Sequence, residues 1–403
     1  MATQPCVFLY RAYLCLVIII ALMASIRGMP SLVGWLDGYF ATEGQHDKQK
    51  QKMVGVEHPV QFGVSREDNN RPLIVCGSQI KDQFGLGSLQ ILAADKPDRA
   101  AILKQMEKVM GPLPGPERKV PLDVKVVSEE KLDGYVRKKV TFAVEKGDRV
   151  PAWLLIPNNA GQKKLPAMLC LHQTIAIGKD EPVGLGKQPS KQQALHLVER
   201  GYICLAPDYP SFGEYQYDFQ AAFKRGDYQS GTMKAIWNNM RAVDYLQSLP
   251  EVDAERIGVI GHSLGGHNAM FTAAFDERLK AIVSSCGFCS FAKYKGGNLK
   301  GWTSDRYMPR IAAEYGNDPK KMPFEFADVI ASLAPRAFLA VSPLKDDNFD
   351  VTGVKDAIAA AEPAYRALSA EKNLKTIYPD AAHDFPEEGR KVAYELLDEH
   401  LKR

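Results

Sequence analysis

The sequence predicts an α/β protein whose sheet is mostly parallel, doubly wound and covered by helices on both faces. From about residue 121 onward, short apolar segments alternate with amphipathic segments of helical periodicity. This pattern is typical of buried parallel strands that are connected by helices. Hydrophobic residues form 45% of the 403-residue chain and charged residues 25%, which is sufficient for one large core. We therefore expect one large domain that is preceded by an N-terminal extension.

The balance of charges argues against a nucleic-acid partner. Lysine and arginine together number 51, and aspartate and glutamate number 48, which leaves a net charge of +3. Because binding to a phosphate backbone depends on a clear excess of positive charge, no nucleic acid is expected to bind.

The seven cysteines predict neither a disulfide framework nor a metal site. Five of them lie beyond the N-terminal leader, and an odd, sparse set of this kind is not typical of a disulfide-stabilised domain. Cys286 and Cys289 form a CxxC motif, but no second pair accompanies it. Since a structural zinc site needs about four ligands, we expect no metal and no other cofactor.

The N-terminus predicts a targeting segment. An uninterrupted apolar run covers residues 12–24, and it follows Arg11 and precedes small and charged residues. The run is shorter than the roughly 20 apolar residues that cross a membrane, so residues 1–28 are interpreted as a signal peptide for export. An uncleaved N-terminal membrane anchor is the alternative, and it is the only membrane contact that we expect.

Residues 29–120 are predicted to form the N-terminal extension. A polar run at 45–52 indicates a solvated linker. Apolar residues at helical spacing predict a helix over 100–110, which ends where the sequence GPLPGP begins, because proline and glycine prevent its continuation.

Residues 121–403 are predicted to form the large domain. Its strands are expected at 124–127, 135–144, 149–156, 165–171, 202–206, 257–260, 281–285, 337–341 and 374–378. Its helices are expected at 190–200, 231–248, 263–275, 356–370 and 387–401.

The segment 287–334 interrupts this alternation and is rich in aromatic residues, glycine and proline. We interpret it as a cap-like insertion beside the carboxyl edge of the sheet, where ligands bind in open α/β folds. Trp302, Tyr307 and Tyr315 are candidates for contact with a substrate, although apolar packing would explain them equally well.

The sequence Gly261-His262-Ser263-Leu264-Gly265 matches the GxSxG motif. An apolar strand leads into the motif and a helix follows it, as in the nucleophile elbow of serine hydrolases. The small glycines permit the sharp turn that exposes Ser263 as a nucleophile. The alternative is that Ser263 only caps the helix.

A serine nucleophile needs a base, which His383 is predicted to provide. In folds with this elbow the acid and then the histidine follow the serine along the chain. His383 lies in a loop between the last strand and the last helix, whereas His400 lies within that helix and is expected to interact with its C-terminal dipole.

The acid that orients this base is expected after the strand 337–341. Asp346 is preferred over Asp347, and Asp350 is the third choice. Each of these aspartates could instead be a turn former. Asp384, which is adjacent to the histidine, is expected at the protein surface.

Two backbone N–H groups are predicted to form the oxyanion hole that acyl transfer requires. One belongs to Leu264, directly after the nucleophile, and the other to Gln173, in the loop after the strand 165–171. His172 precedes the serine and is interpreted as a hydrogen-bonded structural residue.

Five sequence segments together resemble the α/β-hydrolase superfamily, and within it the dienelactone hydrolase-like and acetyl xylan esterase-like bacterial branch. These segments are LHQTIAIGKDEPVGLG, APDYPSFGE, GHSLGGHNA, SPLKDDNFD and AAHDFP. The resemblance covers residues 121–403, and it extends to the helix and VMGPLPG segment before them. It implies metal-independent hydrolysis of a small-molecule or carbohydrate ester. Acylated and uronate-esterified carbohydrates are the candidate substrates. Dienelactone hydrolases proper use a cysteine nucleophile, so lactone specificity does not follow.

Two other functions are compatible with these features. A serine peptidase of the prolyl oligopeptidase type would share the elbow, the acid and the base, but only about 120 residues precede the large domain and they contain no repeats of propeller-blade length. A non-catalytic binding protein on the same scaffold is the second alternative. The oligomeric state is not predicted by the sequence.

Overall fold

The computed structural model of the protein describes residues 62–66, 72–76 and 96–402. They belong to two compact units, which are divided between residues 91 and 92. The described part of the first unit is an antiparallel pair of strands, β1 (Phe62–Arg66) and β2 (Pro72–Cys76).

The predicted signal segment 1–28 and the predicted linker 45–52 lie outside the described residues. No helix in the described ranges combines the length and the apolar character that crossing a lipid bilayer requires.

A nine-stranded sheet forms the centre of the second unit. Its strands are β3 (Lys125–Lys131), β4 (Tyr135–Glu145), β5 (Asp148–Pro157), β6 (Leu165–Leu171), β7 (Ile203–Pro207), β8 (Val252–His262), β9 (Leu279–Ser285), β10 (Ala337–Val341) and β11 (Leu374–Ile377). Their order across the sheet is β11, β10, β9, β8, β6, β7, β5, β4, β3. Strands β11 to β7 in this order are parallel, and β5, β4 and β3 are joined by antiparallel pairing.

Helices connect the strands and cover the sheet. They are α1 (Arg99–Met110), α2 (Gln193–Glu199), α3 (Phe219–Arg225), α4 (Gly231–Ser248), α5 (Leu264–Phe275), α6 (Arg310–Ala313), α7 (Phe326–Leu333), α8 (Val351–Ala367) and α9 (Glu387–Leu401). Short 3-10 turns occur between several of them.

The central strand β6 contributes to a hydrophobic core on each face of the sheet, and all of its residues are buried. Leu169 belongs to the core that contains residues of α1, α4, α5, α7 and α8. Its neighbour Cys170 belongs to a second core, with residues of α2 and α9. Because successive side chains of a strand point to opposite faces, this division confirms the doubly wound arrangement that the sequence predicts.

Helix α1 belongs to the second unit, although its sequence was assigned to the N-terminal extension. Met106, Val109 and Met110 are fully buried in the larger core, and the hydroxyl of Ser230 donates a 2.7 Å hydrogen bond to the Met110 carbonyl. The packed domain therefore begins before residue 121.

The predicted cap-like insertion 287–334 has two parts. Its first part consists of short turns and α6, whereas its last part, α7, packs against α5 and α8 in the helical layer. The apolar face of α7 is buried, because it completes the larger core. The segment that is available to border a site is therefore shorter than predicted.

Two helix boundaries differ from the predicted ones. Helix α8 begins at Val351, five residues earlier than expected, because Asp350 caps it and accepts a 2.8 Å hydrogen bond from the Thr352 N–H group. Helix α2 begins later than expected, at Gln193, because a separate 3-10 turn over Pro189–Lys191 precedes it.

Candidate active site

Ser263 lies on a sharp turn between the end of β8 and the start of α5. Its backbone angles, φ 54° and ψ −118°, fall in a region that residues other than glycine rarely adopt. The two motif glycines permit this turn: a Cβ atom at Gly261 would lie 2.2 Å from the backbone of Gly265, and a Cβ atom at Gly265 would lie 2.1 Å from the Leu171 carbonyl oxygen. The local geometry is that of the predicted nucleophile elbow.

The structure brings the predicted base and acid to this serine. His383 lies in the loop after β11 and Asp346 in the loop after β10, at the same edge of the parallel sheet as Ser263. His383 Nε2 is 2.9 Å from Ser263 Oγ, and His383 Nδ1 is 2.9 Å and 3.0 Å from the two carboxylate oxygens of Asp346. With Nδ1 donating to the carboxylate, Nε2 is free to accept the serine proton.

Asp346, rather than either alternative aspartate, faces the histidine. Asp347 is exposed, and Asp350 caps α8. Burial would raise the pKa of the Asp346 carboxyl group, but the hydrogen bond from His383 and two backbone N–H groups outweigh burial and lower the pKa. Asp346 is therefore held in its charged form.

The two predicted oxyanion donors follow adjacent strands. Leu264 follows Ser263 at the start of α5, and Gln173 follows β6, which pairs with β8 so that Leu171 is opposite Gly261. No hydrogen bond joins either backbone N–H group to another described residue. Both groups are thus available to a ligand oxygen beside Ser263.

His172 holds the loop that carries Gln173. Its Nδ1 donates to the Gln173 carbonyl at 2.6 Å, and its Nε2 accepts from the Tyr209 N–H group at 2.9 Å. Burial lowers the pKa of His172, so the ring is neutral and can both donate and accept. This arrangement agrees with the structural role that the sequence indicates.

A cavity of about 310 Å³ opens beside Ser263 and His383. Two of the predicted substrate-contact residues, Trp302 and Tyr307, line it. Tyr315 does not line it and packs instead against the larger hydrophobic core. Tyr315 is therefore not placed to contact a ligand in the cavity.

Asp384 forms an ion pair that the sequence analysis missed. The carboxylate is partly exposed, as the sequence predicts, but it also contacts the ammonium group of Lys191 and accepts a 2.8 Å hydrogen bond from the Ser190 hydroxyl. Lys191 is almost fully buried and lines the cavity. Because Asp384 follows His383, the pair ties the histidine loop to the segment before α2.

Two histidines beside the serine also escaped the sequence analysis. His262 Nδ1 lies 3.0 Å from the Ser285 hydroxyl, and its ring is 5.0 Å from the ring of His383. Burial, assisted by the charges of Lys191 and His383, holds the pKa of His262 well below its usual range. His267 lines the cavity from α5. Both are neighbours of Ser263 in sequence, and the elbow motif leaves their positions unspecified.

Among the described residues, one group of side chains has the spacing of metal ligands: Cys286, Asp346 and His383, whose ligand atoms lie within 4.8 Å of one another. Asp346 and His383 already bind each other, and the Cys286 thiol donates to the Asp384 carbonyl at 3.2 Å. All three candidate ligands are therefore engaged in hydrogen bonds of the site.

Residues 189–401 match the sequence profile of the prolyl oligopeptidase family (Peptidase_S9). The match includes more than half of the chain, together with Ser263, His383 and Asp346. The chain belongs to the prolyl oligopeptidase family.

Proteins of similar sequence differ in the bonds that their names imply. YtaP of Bacillus subtilis, which carries the name of a hydrolase, is 27% identical over 70% of this chain and 88% of its own length. Carbohydrate esterase MZ0003, from an unknown prokaryote, is 26% identical over 48% of this chain and 49% of its own. Dipeptidyl-peptidase 5 of Porphyromonas gingivalis is 34% identical, but over only 23% of this chain and 13% of its own. Family membership alone therefore leaves the scissile bond open.

Solved structures confirm the predicted α/β-hydrolase fold. A glucuronoyl esterase from Solibacter usitatus superposes with a TM-score of 0.60 at 22% identity, over 74% of this chain and 91% of the other. An acetyl xylan esterase from Paenibacillus sp. R4 superposes with a TM-score of 0.51 at 19% identity, over 78% of this chain and 100% of the other. At these identities the likeness establishes a shared fold.

Proposed function

We propose that the protein is a serine hydrolase that cleaves carboxylic esters through an acyl-serine intermediate. The observation that carries the proposal is the series of hydrogen bonds from Ser263 through His383 to Asp346, with 2.9 Å between Ser263 Oγ and His383 Nε2. Such a series joins a nucleophile to its base and the base to the acid that orients it.

In this mechanism, the Ser263 oxygen attacks the ester carbonyl carbon while its proton moves to Nε2 of His383. Asp346 stabilises the imidazolium that forms. The N–H groups of Leu264 and Gln173 donate to the oxyanion of the tetrahedral intermediate. His383 then gives the proton to the departing alcohol, and a water molecule that the same ring activates hydrolyses the acyl-serine.

The proposed substrate is an ester of a carbohydrate. Carbohydrate esterase MZ0003 and the two structural relatives named above all carry the names of enzymes that act on sugar esters. The cavity combines aromatic side chains such as Trp302 and Tyr307 with polar ones such as Gln173 and Asn348. Sugars present both apolar faces and hydroxyl groups, so such a lining suits them.

A serine peptidase is the second candidate, because the family takes its name from a peptidase and part of the chain is similar to a dipeptidyl-peptidase. An enzyme that removes dipeptides has to bind a free amino terminus, for which a carboxylate is the natural partner. Among the described residues that line the cavity, none has a carboxylate side chain. The cavity therefore favours an ester over such a peptide.

Substrate panels with the wild type and Ser263→Ala test the proposal. We expect the wild type to hydrolyse 4-nitrophenyl acetate, an acetylated xyloside or a methyl glucuronate ester, and Ser263→Ala to lower kcat by about 10⁴-fold or more with the fold unchanged by circular dichroism. Ser248→Ala, which makes the same chemical change outside the cavity, is the control. Activity on peptide amides alone would support the peptidase, and no activity on any substrate would support a binding protein.

We also propose that the protein is exported, on the basis of the apolar run within residues 1–28. N-terminal sequencing of the protein from separated cell fractions tests this. A mature terminus near residue 28 outside the cytoplasm would support a cleaved signal. An intact Met1 in the membrane fraction would support the anchor, and an intact Met1 in the soluble cytoplasmic fraction would contradict export.

A further inference from the structure

Three polar side chains of the cavity are buried without a hydrogen-bond partner. They are those of Gln173, His267 and Trp302, which are 7%, 1% and 2% exposed. The unpartnered atoms are both amide atoms of Gln173, both ring nitrogens of His267 and Nε1 of Trp302. Since native proteins pair nearly all of their buried polar groups, this concentration beside the nucleophile indicates that a ligand supplies the partners.

His267 is fixed in place. Its backbone N–H group donates a 2.9 Å hydrogen bond to the carbonyl of Ser263, one helical turn earlier. Its ring centre lies 4.1 Å from that of Phe271 and 4.9 Å from that of Trp302. The imidazole is thus held at a defined distance along α5 from the nucleophile, in a residue that lines the cavity.

The hydrogen-bond donors and acceptors of these side chains indicate which chemical group the ligand presents. Burial lowers the pKa of His267 to about 3, so at neutral pH its ring carries no charge, and one nitrogen donates while the other accepts. A hydroxyl group can both donate and accept, and it matches such a ring. A carboxylate can only accept, and a hydrocarbon can do neither, so either would leave buried polar atoms unpaired.

The lining offers little to attract an anion instead. Its one lysine among the described residues, Lys191, is paired with Asp384. The Trp302 indole adds a neutral donor, and the Gln173 amide adds a neutral donor and acceptor. The complete set is therefore uncharged and suits several hydroxyl groups at once.

We propose that Gln173, His267 and Trp302 form a subsite that binds the hydroxyl groups of an uncharged sugar ring in the substrate. This inference rests on the proposed ester hydrolysis and specifies its substrate class. The sugar can belong to the alcohol of the ester, as in an acetylated xyloside, or to the acid, as in a methyl glucuronate ester, and both present the same vicinal hydroxyl groups.

Two variants remove the polar atoms and retain an aromatic side chain at each position: His267→Phe and Trp302→Phe. The measurement is the ratio of kcat/KM for a sugar ester to kcat/KM for 4-nitrophenyl acetate, which has no hydroxyl group. We expect each variant to lower this ratio by about tenfold or more, since a buried hydroxyl loses its partner. Running the acetylated xyloside and the methyl glucuronate ester separately shows which side of the ester carries the recognised sugar.

Phe324→Leu is the matched control, because it alters the aromatic packing beside Phe271 without removing a polar atom or a residue that lines the cavity. Its ratio is expected to stay within about twofold of the wild-type ratio. If His267→Phe and Trp302→Phe leave the ratio unchanged with both sugar esters, the polar atoms of these residues bind water and not the sugar. That result would overturn the proposal. An equal loss on sugar esters and 4-nitrophenyl acetate would assign the residues a structural role and would likewise overturn it.

A binding experiment separates this inference from the proposed activity. Calorimetric titration of Ser263→Ala with methyl xyloside and with methyl glucuronate ester is expected to detect binding, which should weaken by about tenfold or more when His267→Phe is added. A protein that cleaves no ester but shows this difference would refute the proposed function and retain the sugar subsite. Absence of binding to both sugars would refute the subsite.

Discussion

Asp346 presents both of its carboxylate oxygens to one nitrogen of His383, at 2.9 Å and 3.0 Å. The carboxylate is itself fixed, because its Oδ1 accepts hydrogen bonds from the backbone N–H groups of Asn348 and Phe349. Its turn therefore orients the acid, the acid orients the imidazole, and the imidazole meets the Ser263 hydroxyl.

Asp346→Asn is expected to lower kcat by about 10⁴-fold, because the amide no longer fixes the ring tautomer in which Nε2 accepts the serine proton. The measurement is the rate of ester hydrolysis, with circular dichroism to show that the fold persists. Asp347→Asn is the matched control and should remain within about twofold of the wild type, since Asp347 is exposed. The opposite ranking of the two variants would show that the acid is misassigned.

Gly265→Ala should disrupt the elbow. The added Cβ atom would lie 2.1 Å from the Leu171 carbonyl oxygen, so β6 and α5 would have to move apart. We expect a loss of activity of at least about 100-fold and a marked fall in Tm, because overpacking costs about 1–3 kcal/mol. Gly161→Ala, where no atom lies within 4 Å of the new Cβ atom, should cost only about 1 kcal/mol, from its positive φ. Equal effects of the two substitutions would argue against steric contact as the cause.

Lys191→Met tests whether the ion pair with Asp384 positions the His383 loop. Burial would raise the pKa of Asp384. The hydrogen bonds from Lys191 and Ser190, together with the positive charge of Lys191, outweigh burial and lower the pKa to about 2. Without Lys191 we expect that pKa to rise towards the ordinary aspartate value and kcat to fall by about tenfold. NMR titration of the carboxyl group and ester kinetics are the two measurements. Lys191→Arg, which keeps the charge, should restore much of both, whereas a normal rate in Lys191→Met would leave the pair without a role in catalysis.

Glu325 should make stability depend on pH. Burial raises the pKa of its carboxyl group to about 7 in the folded protein. Between the unfolded value, near 4.5, and about 7, the folded state holds a proton that the unfolded state has lost, so stability falls as the pH rises. From pH 5 to pH 8, the wild type should lose on the order of 2 kcal/mol of unfolding free energy relative to Glu325→Gln. Urea unfolding of both proteins at the two pH values measures this, and parallel pH profiles would contradict it.

The sequence was sufficient to predict the catalytic residues, which lie in the turns and loops that follow strands. Ser263, Asp346 and His383 each occupy such a position, and the fixed chain order of the fold left few choices among the aspartates and histidines. Lys191 and Asp384, by contrast, meet across 193 residues. No local pattern in either segment indicates such a contact, because it depends on where α2 lies beside the last loop.

Contacts between distant segments also explain why the sequence places α1 in the N-terminal extension. The helical periodicity of α1 was recognised, but periodicity reveals an apolar face and not the partner of that face. Its partners lie more than 100 residues further along the chain, as the hydrogen bond between Ser230 and Met110 illustrates. The sequence could not predict the unpaired nitrogens of His267 either. They lack hydrogen-bond partners because aromatic rings surround them in the folded protein.

The pairing of β6 with β8, which sets Leu171 opposite Gly261, has a consequence for how the protein can change. One residue along a strand corresponds to about 3.3 Å, which is longer than a hydrogen bond. A shift of one residue in the pairing would therefore move the Gln173 N–H group out of hydrogen-bond distance of the reacting oxygen. The distance between the Ser263 nucleophile and the oxyanion donor of Gln173 is thus set by the pairing of the two backbones. Side chains such as Trp302 and Tyr307, which come from a different segment, can therefore be exchanged to accept new esters while the reaction itself is preserved.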